Sequence, residues 1–261
     1  MRYLRLLRLF LRFSVMTAIE YRVNFFLHAF EAAVMLASGL SVLWVVFSQT
    51  STLAGWTWNE LLVVLGLYFI GYGAVGLILG PSIKEFMTDV WKGNLDFLLI
   101  KPASHQFLAC ARKIAFWNIV EITTGVVITG VALTRLGATI GLEQALMFVV
   151  ALAAGASLIY SFWVCLGVAS FWTTKMENIM LLYYHLYEAG RWPIAVYPGW
   201  LRMTLTFVVP IAFAITVPAR AVVGRLEWPL VAAGVTFAIA SLVLSRMFFH
   251  VGLRRYTSAN G

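Results

Sequence analysis

Charge-free apolar runs divide this chain more sharply than any motif does. Such runs occupy about 24–48, 61–80, 114–133, 144–174 and 228–245, the first interrupted by Glu31 and the third by Glu121. Each approaches the roughly 20 residues that a helix needs to cross a bilayer core. The stretch from 178 to 224 is different. It holds two shorter runs, 178–187 and 203–219, separated by Glu188, Arg191, Pro193, Pro198 and Arg202. The second run contains Pro210 and ends at Pro218. Ahead of the first run, Arg2, Arg5, Arg8 and Arg12 recur every three or four residues, with leucine and phenylalanine between them. That spacing predicts an amphipathic helix over 1–20 lying among lipid headgroups. No small-residue cleavage site follows it, so it reads as a retained segment rather than a signal peptide.

Between the second and third runs lies the one sizeable polar stretch. Within 82–105, Ile83, Phe86, Met87, Val90 and Trp91 fall at helical spacing, and Gly93-Asn94 ends the pattern. Leu95, Phe97, Leu98, Leu99 and Ile100 then form a short apolar run before Lys101-Pro102. Such a helix either rests on the membrane surface or fits a groove on a soluble partner.

Composition narrows the class. Of 261 residues, 62% are hydrophobic and 11% are charged; mean hydropathy is +0.88. A soluble domain carries about 25% charged residues. This composition disfavours a soluble enzyme, a disulfide-rich secreted domain and a disordered chain. It leaves an all-α polytopic membrane protein built as a single domain over 1–261. The net charge of +8 belongs at membrane surfaces and does not imply a nucleic-acid partner. Lys84, Lys92, Lys101, Arg112 and Lys113 crowd the 81–113 connection, and Arg246, Arg254 and Arg255 the C-terminal end. The 50–60 connection has no basic residue, and 134–143 has only Arg135. The positive-inside rule therefore puts both termini and the 81–113 loop in the cytoplasm. An even number of crossings follows. Five runs are clear, so the 178–227 stretch supplies one more. Of 178–197 and 203–219, one crosses and the other enters and returns; the prolines of the second suit the re-entrant role, and 178–197 is preferred as the crossing.

Ionisable groups inside spans are candidates for function, because a charge at bilayer centre costs about 2.5–3.5 kcal/mol even on insertion scales. Asn118 and Glu121 are three apart in the third run. His185 and Glu188 are three apart near the fifth crossing, with Arg191 three further on. These four, Asn118, Glu121, His185 and Glu188, are candidates for a transport path, against a structural hydrogen bond or ion pair. Glu188 with Arg191 reads as a surface ion pair, and His28 with Glu31 as an interfacial polar cluster near Arg22. Cys110 and Cys165 lie far apart in apolar sequence and read as small core residues. No metal-binding spacing and no catalytic triad is evident. Trp56, Trp58, Trp192, Tyr197, Trp200 and Trp228 suit an interfacial belt or a slot for an amphiphilic substrate. Gly66, Gly71, Gly73, Gly76 and Gly80 in the second run allow close helix approach.

The order of these features resembles a family. The basic N-terminal helix, six spans, the motif W-K-G-x-L-D-x-L-L-x-K-P at 91–102 and the proline-rich 197–224 stretch are similar to the ABC-2 type permeases. These are membrane subunits of bacterial ATP-binding-cassette exporters, and this length suits a small subgroup of them. The resemblance implies an elbow helix at the N-terminus. It implies a coupling helix that contacts an ATPase subunit through Ile83, Lys84, Phe86, Met87, Val90, Trp91, Lys92, Leu95 and Asp96. It implies an outer re-entrant gate over 198–226 containing Pro198, Trp200, Pro210, Pro218 and Arg220. It further implies a multi-pass protein of the inner membrane, paired with an identical or related permease, the related one slightly preferred. Two ATPase subunits would carry the ATP and Mg. This chain has no GxxxxGK[ST] loop, so it is expected to bind no cofactor and to perform no catalysis. Its expected substrate is amphiphilic or lipid-like, since the walls are mostly apolar and aromatic. An ATPase-independent channel or scaffold is the alternative, and a membrane-embedded lipid-modifying enzyme a more distant one.

Overall fold

The computed structural model describes residues 22–101, 104–137, 141–173 and 176–256, and all regular elements among them are helical. The helix expected over 1–20 lies outside the described residues. The elements are α1 (Arg22–Gln49), α2 (Trp58–Ala74), α3 (Gly80–Lys92), α4 (Asp96–Leu99), α5 (His105–Ala111), α6 (Ile119–Leu136), α7 (Leu142–Ala169), α8 (Met176–Glu188), α9 (Gly199–Met203), α10 (Val217–Val222) and α11 (Trp228–Arg255). Five helices are long and apolar enough to cross a membrane: α1, the joined α2–α3, α6, α7 and α11. A bent pair, Gly199–Val208 with Ala212–Val222, would make a sixth if counted as one span.

The core forms around α2, where every residue from Leu61 to Phe69 is buried. Helix α6 crosses it at glycines. A Cβ at Gly66 would lie 2.8 Å from the Gly125 carbonyl oxygen, and one at Gly73 would lie 2.9 Å from the Asn118 carbonyl oxygen. Backbones this close need positions without side chains. On the other side α7 packs against α11, with Trp163 fully buried.

The second span does not stop where its sequence suggests. Pro81 lacks an N–H, which would leave the Leu77 carbonyl unpaired in a regular helix. A π turn over Val75–Leu79 carries the chain through instead, so Trp58–Lys92 is one helix of 35 residues. Two carbonyls left over at the turn find partners elsewhere. Ala115 N–H donates to Leu77 O (2.8 Å), and Asn118 Nδ2 donates to Gly76 O (3.1 Å). The third span accordingly begins late: 113–115 is non-helical and α6 starts at Ile119. Glu121 therefore sits in the first turn of α6, not two turns into a helix.

The two ends of the bundle are chemically distinct. At the basic end, the Tyr256 hydroxyl donates to Gly93 O (2.8 Å) and Trp172 stacks on Phe248 (5.4 Å). At the opposite end, Arg225 pairs with Glu60 (2.7 Å) and donates to Gly55 O (2.6 Å), while Trp228 Nε1 donates to Glu143 (2.8 Å). Phe171, just before α8, meets Tyr256 at the basic end, and Arg225, just after α10, lies at the other. The 176–224 stretch thus makes one net passage along the bundle.

Neither of its apolar runs makes that passage alone. Helix α8 has 13 residues, roughly 20 Å at 1.5 Å per residue, against a core of about 30 Å. Its Tyr183 and Tyr184 sit beside Trp163 of α7. Phe213, entering α10, lies at Gly155, further along α7, and Gly224 reaches Gln144 near its start. Helix α8 therefore covers the basic half and the α10 segment the other half. They meet where Gly190 nests against Ile211 and Ile215. The excursion between them carries α9 and a 79° bend at Val209-Pro210. Helix α8 and the α10 segment thus share the passage, and the bent pair that ends in α10 is by its geometry either a broken span or a re-entrant loop.

Candidate functional site

Two regions bring the sequence-derived candidates together. The first is the basic end, where α3 projects. Its apolar stripe faces inward: Ile83, Phe86 and Met87 are buried, with Phe86 against Phe171 and Phe249 and Gly167 against Ile83. Leu95 is buried too, and Val90 and Asp96 are half-buried. Ile83, Phe86, Met87 and Leu95 hold the projection in place. What the tip presents outward is Trp91 (68% exposed), Phe97 (70%) and Ile100 (77%), with Lys84, Lys92 and Lys101 around them. Phe97 and Ile100 belong to the apolar run noticed in the sequence. Which of its residues turn outward is set by the break that Gly93 makes in the left-handed region (φ 71°).

The tip is stitched to the bundle. Arg112 Nη1 pairs with Asp89 (2.7 Å), and Ser82 Oγ both donates to Lys113 O (2.9 Å) and accepts from Lys113 N–H (3.0 Å). With the Leu77–Ala115 and Gly76–Asn118 bonds, the 112–118 strap runs alongside the joined helix and leads directly into α6. Asn118 is buried and its amide serves this strap. Burial pushes the Cys110 thiol of α5 up to about 12, so it stays protonated and acts as a packing group.

The second region lies where α1, α2, α6 and α8 converge. Glu121, 1% exposed, places Oε1 3.2 Å from His28 Nδ1, and the same nitrogen is 3.5 Å from Glu31. The sequence pattern had kept Glu121 apart from His28 and Glu31, because nothing in spacing reveals that α1 meets the start of α6. The Glu31 side chain is 53% exposed. Beside it Tyr68, Tyr72, Tyr184 and Tyr187 pack ring against ring at 5.5–6.1 Å. His185 and Glu188 are exposed on α8. Glu188 makes no ion pair with Arg191, whose guanidinium lies 5.2 Å from the centre of the Tyr68 ring instead. A cleft of about 270 Å³ opens toward the basic end between α3 and α8, lined by Pro81, Lys84, Met180 and Tyr184.

Of the gate candidates, Pro198 and Trp200 are exposed, Pro210 and Pro218 are buried and Arg220 is half-buried. Pro210 sits at the 79° bend. Among the described residues no group of three or more His, Cys, Asp or Glu side chains is arranged to hold a metal ion.

No curated protein and no solved structure matches the chain. A family model described as ABC-2 family transporter protein matches residues 33–260. That match begins within α1 and takes in the rest of that span, every later span, the tip and the bent pair, and the chain belongs to the ABC-2 transporter family.

Proposed function

We propose that this transport protein is the permease subunit of an exporter in the bacterial inner membrane, driven by a separate ATPase and working beside a second permease. One observation carries the reading. Glu31 on α1 and His185 and Glu188 on α8 are exposed, on the helices that converge at the Tyr72–Tyr184 pair. Left against lipid tails, each charged group would cost about 2.5–3.5 kcal/mol near the bilayer centre. A surface of this kind needs a second subunit, or a hydrated path between two subunits. The tyrosines give that path rings for apolar parts of a cargo and hydroxyls for its polar parts, which suits an amphiphilic substrate.

The basic end is cytoplasmic by the positive-inside rule. Its tip, formed by Trp91, Phe97 and Ile100, is the surface an ATPase would grip. Movement of the tip passes through the 112–118 strap to α6 and through the joined helix to α2, as rigid-body switching of packed elements. The divided crossing is the element best suited to gate, because its halves meet at one glycine contact and not through continuous helix. The elbow helix over 1–20 would lie on the inner leaflet.

The decisive experiment reconstitutes the permease with its ATPase in vesicles and follows transbilayer movement of a fluorescent phospholipid. Movement should require ATP hydrolysis. It should fall at least tenfold in a Glu31→Leu, Glu188→Leu double variant that still binds the ATPase. Equal flux without nucleotide would overturn the exporter reading and identify a channel.

A further inference from the structure

A second cavity lies away from that surface. It has a volume of about 740 Å³ and is bounded by the π turn of α2, by α5, by α7 and by the basic half of α11. No residue of α1 or α8 lines it. Its polar wall includes Arg246 and His250, one turn apart on α11, with Ser104, His105 and Gln106 at the start of α5 and Tyr160 of α7. Its apolar wall includes Ile78 and Leu242. Among the described residues no Asp or Glu lines it. Arg246 forms no ion pair with any described residue and is exposed.

The depth of Arg246 makes this unusual. Helix α11 has 28 residues, roughly 42 Å, which exceeds a hydrocarbon core of about 30 Å. Centred in the membrane, it would place His250 near the headgroup boundary and Arg246 about one and a half turns inside it. Arginine at that depth reaches outward for phosphate or water. Basic pockets between spans on the cytoplasmic side are suited to anionic headgroups.

We propose that this cavity binds an anionic phospholipid of the inner leaflet. Arg246 and His250 hold the phosphate, Ser104 and Gln106 hydrogen-bond the headgroup, and the groove beside Leu242 takes an acyl chain. The bound lipid bridges α5 of the inner loop to α11. The assignment is independent of which substrate the permease carries. A phosphate group is the shared chemistry of a lipid and of free phosphate, and the acyl-sized apolar wall selects the lipid.

Native mass spectrometry of the full chain in detergent, titrated with phosphatidylglycerol, phosphatidylcholine or inorganic phosphate, tests this. Phosphatidylglycerol should remain bound in preference to phosphatidylcholine, and inorganic phosphate should not compete at equal concentration. Arg246→Gln should weaken phosphatidylglycerol binding roughly fivefold, the worth of one basic residue at an anionic surface, while Arg246→Lys largely preserves it. Leu242→Trp, which leaves the charges alone and fills the apolar wall, should weaken it as well. Equal retention by Arg246→Gln would overturn the proposal. So would full competition by inorganic phosphate, which would mark a free-anion site, or indifference to Leu242→Trp.

Discussion

Gly125 and Gly130 lie on the same helix, yet a methyl group added to each meets opposite conditions. At Gly125 it would fall 2.5 Å from the Gly66 carbonyl oxygen and 2.7 Å from the Ile70 amide nitrogen; at Gly130 nothing lies within 4 Å. Backbone atoms cannot step aside as a flexible side chain can. Gly125→Ala should therefore destabilise the bundle by about 1–3 kcal/mol through overpacking, lowering Tm in detergent. Gly130→Ala should be neutral or stabilising by up to about 1 kcal/mol, from helix propensity. Equal Tm values for the two variants would refute close α2–α6 packing. Asn118 offers a parallel case. Its Nδ2 satisfies a carbonyl that the π turn leaves over, so Asn118→Leu should cost about 1–3 kcal/mol for a buried unpaired acceptor. A transport-path residue would instead leave Tm unchanged and alter flux.

At the scale of elements, the five long spans were legible because an apolar run of about twenty residues with at most one charge needs only composition to be recognised. The amphipathic pattern from Ile83 to Trp91 and its stop at Gly93 were legible for the same local reason. The continuity of α2 into α3 was not. Whether Pro81 breaks the helix depends on Ala115 and Asn118 supplying the missing hydrogen bonds, and no periodicity reports that. The inward turn of Ile83, Phe86 and Met87 depends on Phe171 and Phe249, far along the chain. The divided crossing was half legible: parity required one passage between 178 and 227, and Pro210 marked a break. Only the packing of Gly190 against Ile211 shows that the passage is shared. The shared passage predicts a labelling pattern. In an otherwise cysteine-free chain in intact cells, an impermeant maleimide should label Glu227→Cys and spare Thr173→Cys, which should react only after the membrane is opened. Labelling of both from outside would mean that 176–224 enters and returns without crossing.

For the whole molecule, the question is whether the tip is a docking surface or merely a loop resting on the membrane, and burial separates the two. Trp91 and Phe97 are exposed and support nothing within the chain, whereas Phe86 is 1% exposed and anchors the projection. Truncating the first pair should leave the permease as stable as before, within about 0.5 kcal/mol, as is usual for surface positions away from special features. It should nonetheless weaken ATPase binding at least thirtyfold, since an aromatic hot spot contributes about 2 kcal/mol or more and each 1.4 kcal/mol is tenfold. Phe86→Ala should do the reverse at first cause: a loss of about 3–5 kcal/mol in stability from the cavity it leaves, with ATPase binding falling only as folded protein is lost. Measuring Tm and ATPase co-purification side by side distinguishes the roles. If the Trp91→Ala, Phe97→Ala variant retains its ATPase, force enters the bundle elsewhere. The strap that joins Asp89, Ser82 and Leu77 to the start of α6 would then be bracing a static foot rather than transmitting a stroke.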